Sequence, residues 1–281
     1  MNSLKILKPS QINLFNQKGY LVLPNFIGTS ELDRIKSRAL SLIQEWTPSP
    51  NHPFFTTNEQ NRTANKYFLD SASNISFFLE EHSKSLSKPD CVNKIGHALH
   101  DLDPEFKSFS YRKDYREILH DLGYISPQIV QSMYILKSPR IGGEVNKHQD
   151  RTFIISDPPS CIGIWVAVED AKRGNACLWA YPGSHKLGTR VVWERTGDQM
   201  EFKELWEGEK EVGPEECLEV EKGSVILLHG DLIHWSDQNF SDSSRHAYTV
   251  HAVESQDTSW SPKNWLQRSH ELPFQHWPLD D

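Results

Sequence analysis

Long hydrophobic runs are missing from this sequence. No stretch approaches the roughly 18 apolar residues that a membrane helix needs, so no membrane span is expected. The N-terminal MNSLKILKPSQINLF has neither the apolar core nor the small-residue cleavage site of a signal peptide. The C-terminal Pro278-Leu279-Asp280-Asp281 is not a peroxisomal tripeptide. Both features point to a cytoplasmic protein. Cysteine is scarce: Cys91, Cys161, Cys177 and Cys217 lie far apart with no C-x-x-C pair. That pattern fits reduced thiols better than a disulfide framework or a thiolate zinc site. Positive charge is in deficit, with 30 Lys and Arg against 38 Asp and Glu and a net charge of -8. No nucleic-acid or polybasic membrane surface is expected from that balance. Internal repeats are absent as well.

What the chain does have is apolar and aromatic bulk. Of its 281 residues 37% are hydrophobic and 11% aromatic, with nine tryptophans, enough for a sizeable core or an aromatic-walled pocket. Nothing in the composition separates two halves, so residues 1–281 read as a single domain. Its parts are a helix-rich 1–125, a β core over about 126–260 and a tail at 261–281. Ser10 is placed to cap a first helix ending at Gly19, and a strand Tyr20–Leu23 follows. Ser30 opens a second helix with Leu32, Ile35, Ala39, Leu42, Ile43 and Trp46 at helical spacing. Residues 47–63 read as a loop.

From about Val130 short apolar runs follow one another: Val130–Leu136, Thr152–Ile155, Cys161–Val168, Cys177–Tyr181, Ser224–Leu228 and Ala247–Val253. Turn residues such as Gly142-Gly143 and Pro182-Gly183 punctuate them. Many short strands after helices imply a mainly β fold with N-terminal α structure. The expected core is a jelly-roll or cupin-like double-stranded β-helix backed by helices. Residues 201–221, with nine Glu against two Lys, read as a solvated insert.

Two pairs share H-x-D spacing, His148-Gln149-Asp150 and His229-Gly230-Asp231. About one such pair is expected by chance in a chain of this composition. The chemistry is apt: residues i and i+2 share one face of a strand, so an imidazole and a carboxylate can share one ion. A third ligand completes a facial triad that leaves positions open on Fe(II). With His148 and Asp150 as the first ligands, the remaining β region follows and His234 enters late. With His229 and Asp231 first, too little chain would remain for the rest of the barrel. His148, Asp150 and His234 are therefore the expected metal and catalytic residues. Arg245, after His234 and before an apolar run, suits bidentate binding of the far carboxylate of 2-oxoglutarate.

Four segments make the sequence recognisable: NKIGHALHDLDPEFK (93–107), VQSMYILKSPRIGGEVNKHQD (130–150), GIWVAVEDAKRGNACLWAYPGSHK (163–186) and HGDLIHWSDQNFSDSSRHAYTVH (229–251). Over nearly its whole length the chain resembles the phytanoyl-CoA dioxygenase family, and within it the small domain-containing branch. The resemblance implies Fe(II) on His148, Asp150 and His234. It also implies 2-oxoglutarate contacts at Lys94, Met133, Gln149, Trp165, Ser236 and Arg245, and ascorbate as a supporting reductant. Ala176 stands where the family usually has Gly. His185 reads as a structural turn residue, His97 and His100 as neighbours of Lys94, and His246 and His251 as flanks of the Arg245 strand.

The implied activity is 2-oxoglutarate-dependent hydroxylation, using O2, of a small hydrophobic substrate; retention of Asp150 argues for hydroxylation over halogenation. The leading substrate is an acyl-CoA of the phytanoyl-CoA type, hydroxylated at its 2-position. The missing peroxisomal leader of the acyl-CoA hydroxylase branch weakens that substrate assignment. The alternatives are a different metabolite, a protein substrate, or a non-catalytic cupin-like module that binds metal or 2-oxoglutarate.

Overall fold

A computed structural model describes residues 5–49, 52, 66–81, 83, 86–196 and 199–278. The chain opens with α1 (Pro9–Lys18), which Pro9 starts from the N1 position; Ser10 thus falls inside the first turn instead of capping it. Gly19, at φ 81°, ends the helix and turns the chain into β1 (Tyr20–Leu23). Helix α2 (Thr29–Glu45) follows Gly28, so Ser30 is likewise internal, and its inner face buries Leu32, Ile35, Ala39 and Ile43. Most of the loop expected over 47–63 lies outside the described residues.

The region read as helical contains two further strands. After α3 (Lys66–Asp70) come β2 (Ile75–Leu79) and β3 (Val92–His97). Every residue of β3 is buried, so no alternation of polar and apolar residues marks it in the sequence. Helices α4 (Leu99–Leu102), α5 (Pro104–Ser110) and α6 (Lys113–Asp121) follow, with the Asp103 side chain capping α5.

The β core then runs through β4 (Pro127–Lys137), β5 (Val145–His148), β6 (Ser156–Asp157), β7 (Ile162–Ala167) and β8 (Leu178–Ala180). It continues with β9 (Val191–Thr196), β10 (Gln199–Glu204), β11 (Glu216–Leu218), β12 (Val225–His229) and β13 (His234–Ser236). Strands β14 (Arg245–Glu254), β15 (Ser259–Trp260) and β16 (Gln275–His276) complete the chain. The run Thr152–Ile155 is not a strand. A 3-10 turn at Asp150–Thr152 breaks the chain there, and Ile154 is buried against Val130, Cys161 and Val253.

Two antiparallel sheets carry the architecture. The larger has the order β1-β12-β7-β14-β4-β3-β2, with β16 on β4; the smaller is β11-β8-β13-β5. Strand β14 shows why the large sheet is buried on both faces. Its Tyr248, Val250 and Ala252 pack with Leu32, Phe106, Phe109 and Ile118 of the helices. The alternate residues Arg245, Thr249 and His251 point the other way, into a cavity of about 150 Å³ between the sheets. The tail is part of the body: Trp265 and Leu266 pack with Trp193 and Phe68, and Arg268 pairs with buried Asp101 at 3.0 Å. In the acidic stretch most side chains are solvated, and Glu216 pairs with Lys18 at 2.9 Å.

Candidate metal centre and cavity

Two short strands of the smaller sheet bring the metal-ligating residue types together. His148 ends β5 and faces His234, the first residue of β13, in direct register. Gln149 is extended (φ -116°, ψ 137°), so Asp150 returns to the side of His148 although it already opens the 3-10 turn. The expected spacing logic therefore survives the end of the strand by one residue. Ligand atoms of His148, Asp150 and His234 all lie within 4.8 Å of one another. Nε2 of His148 and Nε2 of His234 stand 3.6 and 3.7 Å from Asp150 Oδ1.

The donor set suits a divalent metal ion. His148 Nδ1 lies 2.8 Å from the Asn146 carbonyl and His234 Nδ1 lies 3.0 Å from that of Leu232. A carbonyl only accepts, so each Nδ1 donates, and in the neutral ring that tautomer leaves Nε2 a lone pair for a metal. Burial, reinforced by repulsion from His148, pushes His234 down to about 4, which keeps it neutral at pH 7. Burial alone would raise Asp150, but the imidazoles of His251 and His234 outweigh it and hold the carboxyl well below its usual range.

The rival pair is employed elsewhere. His229 packs against His185 and Phe15, and its Nδ1 accepts from the Asp231 backbone at 3.1 Å. Asp231 accepts from Thr189 Oγ1 at 2.6 Å. His185 Nε2 lies 3.1 Å from the Asn16 carbonyl, inside the turn Ser184–Leu187. His100 is buried behind the large sheet, with Nδ1 2.7 Å from Ser132 Oγ. His246 is likewise turned away, with Nδ1 3.0 Å from Tyr134 OH. His97 does line the cavity, with Nδ1 2.7 Å from Ser71 Oγ.

Of the residues the resemblance assigns to 2-oxoglutarate, Lys94, Met133, Trp165, Ser236 and Arg245 share the cavity with His148, Asp150 and His234. Gln149 does not. Its amide donates to the carbonyls of Gly188 and Asp231 at 3.0 and 2.7 Å and accepts from Arg190 N at 2.6 Å. The extended backbone that puts His148 and Asp150 on one side must put Gln149 on the other.

Arg245 is the most consequential of the set. It is 1% exposed, its Nε donates to the Ala176 carbonyl at 3.1 Å, and its Nη2 reaches Ser236 Oγ at 3.4 Å. Its Nη1 is buried without a hydrogen-bond partner, and no acidic side chain pairs with it among the described residues. Burial lowers it to about 10. Asp150 is the sole acid on the cavity wall among the described residues, against the cations Lys94, Lys147 and Arg245. Such a cavity favours an anionic occupant.

Sequence reasoning gave three residues no part in the cavity or its support. His251 Nε2 lies 3.2 Å from Asp150 Oδ2. Lys137, 1% exposed, donates to the carbonyls of Gly143 and Asp237 at 2.6 and 2.7 Å and so holds the chain leaving β13. Trp265, with Phe68 and Phe153, walls the far side of the cavity. Among these, His251 was readable only as a flank of the Arg245 strand, because its neighbour Asp150 is a hundred residues away. Ala176 has φ 68° and ψ 56°, the left-handed region that explains why glycine is usual there.

The model of the family described as Phytanoyl-CoA dioxygenase (PhyH) matches residues 15–247. "Phytanoyl-CoA dioxygenase" of Arabidopsis thaliana is 42% identical over 272 residues, covering 94% of this chain and 94% of its own length. "Phytanoyl-CoA dioxygenase domain-containing protein 1" of Mus musculus is 40% identical and covers 95% of this chain and 97% of its own. Among solved structures, the α-ketoglutarate-dependent carbocyclase SnoK from nogalamycin biosynthesis aligns with a TM-score of 0.64 at 17% identity, covering 92% of this chain and 88% of that one. EctD from S. alaskensis with 2-oxoglutarate and 5-hydroxyectoine aligns with a TM-score of 0.62 at 15% identity, covering 91% and 79%. These two share the fold. The match across most of the sequence, carried by relatives near 40% identity, shows that the chain belongs to the phytanoyl-CoA dioxygenase family.

Proposed function

We propose that this protein is an Fe(II)- and 2-oxoglutarate-dependent dioxygenase that hydroxylates a small, largely apolar substrate. One observation carries the reading: two imidazoles and a carboxylate converge in the same cavity as a buried arginine that pairs with no acid among the described residues. The two facing antiparallel sheets are read as the double-stranded β-helix expected for such enzymes. His148, Asp150 and His234 would hold the iron. When bound with 2-oxoglutarate and O2, the iron supplies hydroxylation of a substrate C–H bond, with succinate and CO2 as co-products.

The rest is the work of the chain. Arg245 takes the far carboxylate of 2-oxoglutarate through its unpartnered Nη1, and Ser236 adds a hydroxyl beside it. Lys94 contributes a second positive charge to the same dianion. Met133 and Trp165 form apolar walls that exclude water and strengthen those charge interactions. Gln149 acts indirectly, by tying the backbone at Gly188, Arg190 and Asp231 behind the two metal-ligating residues. Phe68, Phe153 and Trp265 offer an aromatic surface to the substrate.

Two observations favour an acyl-CoA substrate: that aromatic surface, and Lys147 and Arg190 beside His148 at a neighbouring opening. An apolar chain would lie along the rings with its 2-carbon at the metal, and the two cations would meet the nucleotide end.

The test is succinate formation from 2-oxoglutarate with Fe(II), O2 and ascorbate, with and without candidate acyl-CoAs. Turnover is expected for the wild type and its loss for Asp150→Ala and His234→Ala. Absence of turnover in a folded, iron-loaded protein under every condition would favour the binding-module alternative.

A further inference from the structure

One imidazole beside the proposed iron site has no role in that reading. His251 lies on β14, is 4% exposed, and stands opposite Gly163 of β7 in the sheet register. Its Nε2 is 3.2 Å from Asp150 Oδ2. This is the carboxylate oxygen turned away from the two other metal-ligating residues, whose Nε2 atoms approach Oδ1 instead. Gly163 makes the approach possible. A Cβ at that position would meet Asp150 Oδ2 at 3.0 Å and His251 Cδ2 at 3.7 Å. The contact is short but oblique, and Oδ2 has no fully formed hydrogen bond, nor has His251 Nδ1. A small rotation of the ring or the carboxylate would complete it.

We propose that His251 is a positioning residue that divides the Asp150 carboxylate between two tasks. The imidazole holds Oδ2, and Oδ1 alone is offered to the metal. The assignment rests on the iron reading above. Its physical reason is the number of coordination sites: a facial triad works because three ligands leave the other positions open. A carboxylate free to rotate can bind through both oxygens and would consume one of those positions. Partners one shell out that fix ligand orientation commonly alter metal affinity by about 10–100-fold when removed. Here the partner sits on the larger sheet and its target beside the smaller one, so the contact also couples the two walls of the cavity.

The experiment uses the full chain loaded with Co(II), a spectroscopic substitute for Fe(II), and reads affinity and the visible ligand-field spectrum. His251→Gln retains a side-chain N–H donor, whereas His251→Leu retains bulk without one. Gly163→Ala keeps both side chains and crowds Oδ2. His251→Leu and Gly163→Ala should bind Co(II) roughly 10–100-fold more weakly and show a spectrum of altered coordination number. His251→Gln should restore the wild-type spectrum and most of the affinity. Thermal unfolding of the metal-free variants identifies any that fail to fold, and Gly163→Ala then carries the comparison. Wild-type affinity and spectrum in folded His251→Leu, or equal weakening in His251→Gln, would overturn the assignment alone. Failure of the wild type to bind Co(II), or unchanged binding in Asp150→Ala, would overturn the iron reading and the His251 assignment with it.

Discussion

Replacing Arg245 by methionine should separate stability from cosubstrate binding. The guanidinium is buried and pairs with no acid among the described residues, and burial brings it from 12.5 to about 10. At about 1.4 kcal/mol per unit, the folded protein carries a penalty of about 3 kcal/mol for keeping this charge at neutral pH. The sign follows from the direction: a base depressed on folding disfavours the folded state wherever it stays charged, here at all pH below about 10. Methionine removes that penalty and keeps packing against Trp165, but gives up the donation to the Ala176 carbonyl. Loss of one such charged hydrogen bond costs about 1.5–3 kcal/mol, so the ligand-free variant should lie within about 1–2 kcal/mol of the wild type.

Binding should behave very differently. Removing one partner of a buried charged pair costs about 2–5 kcal/mol, which is roughly 30-fold or more in affinity for 2-oxoglutarate. Denaturant and thermal unfolding with and without 2-oxoglutarate, in the presence of Mn(II), report both effects. The wild type should gain about 2.7 kcal/mol at a ligand concentration of about 100 times its Kd, and Arg245→Met should gain no more than about 0.9 kcal/mol at the same concentration. If Arg245→Met loses well over 3 kcal/mol without ligand, the guanidinium is a structural strut. If the variant retains the ligand-dependent gain, Arg245 is not the carboxylate anchor. Either result refutes the reasoning.

Two further outcomes are expected. Ala176→Gly should raise stability by about 0.5–1 kcal/mol in urea titration, because a left-handed conformation costs a residue with a Cβ about 1–2 kcal/mol and glycine returns part of that as backbone entropy. His246, driven down to about 4 chiefly by burial, should make stability fall as pH drops from about 6.5 toward 4. The unfolded chain binds the proton first in that window, so the loss reaches at most about 3 kcal/mol; unfolding midpoints of His246→Gln should be flatter with pH.

Patterns that are local in sequence were legible. The capping glycine at Gly19, the apolar spacing of α2, and the long strands β4, β7, β12 and β14 follow from turn chemistry and from the width of apolar runs. Spacing also singled out His148, Asp150, His234 and Arg245, and the structure brings all four into one cavity. The strands that hold the candidate metal ligands His148 and His234 were far less visible. Val145–His148 reads VNKH and His234–Ser236 reads HWS, with no apolar run to mark them. Their place is set by pairing with each other and with β8.

Long-range juxtaposition was out of reach of the sequence. Nothing near Asp150 announces that His251 meets its outer oxygen across Gly163, or that Trp265 from the tail closes the cavity against Phe68. Thr152–Ile155 had a strand's composition, yet a 3-10 turn at Asp150–Thr152 interrupts the chain there. Periodicity sets which residues share a face, because the backbone repeat is local. Which faces meet depends on how the two sheets close on each other, and that is a property of the whole chain.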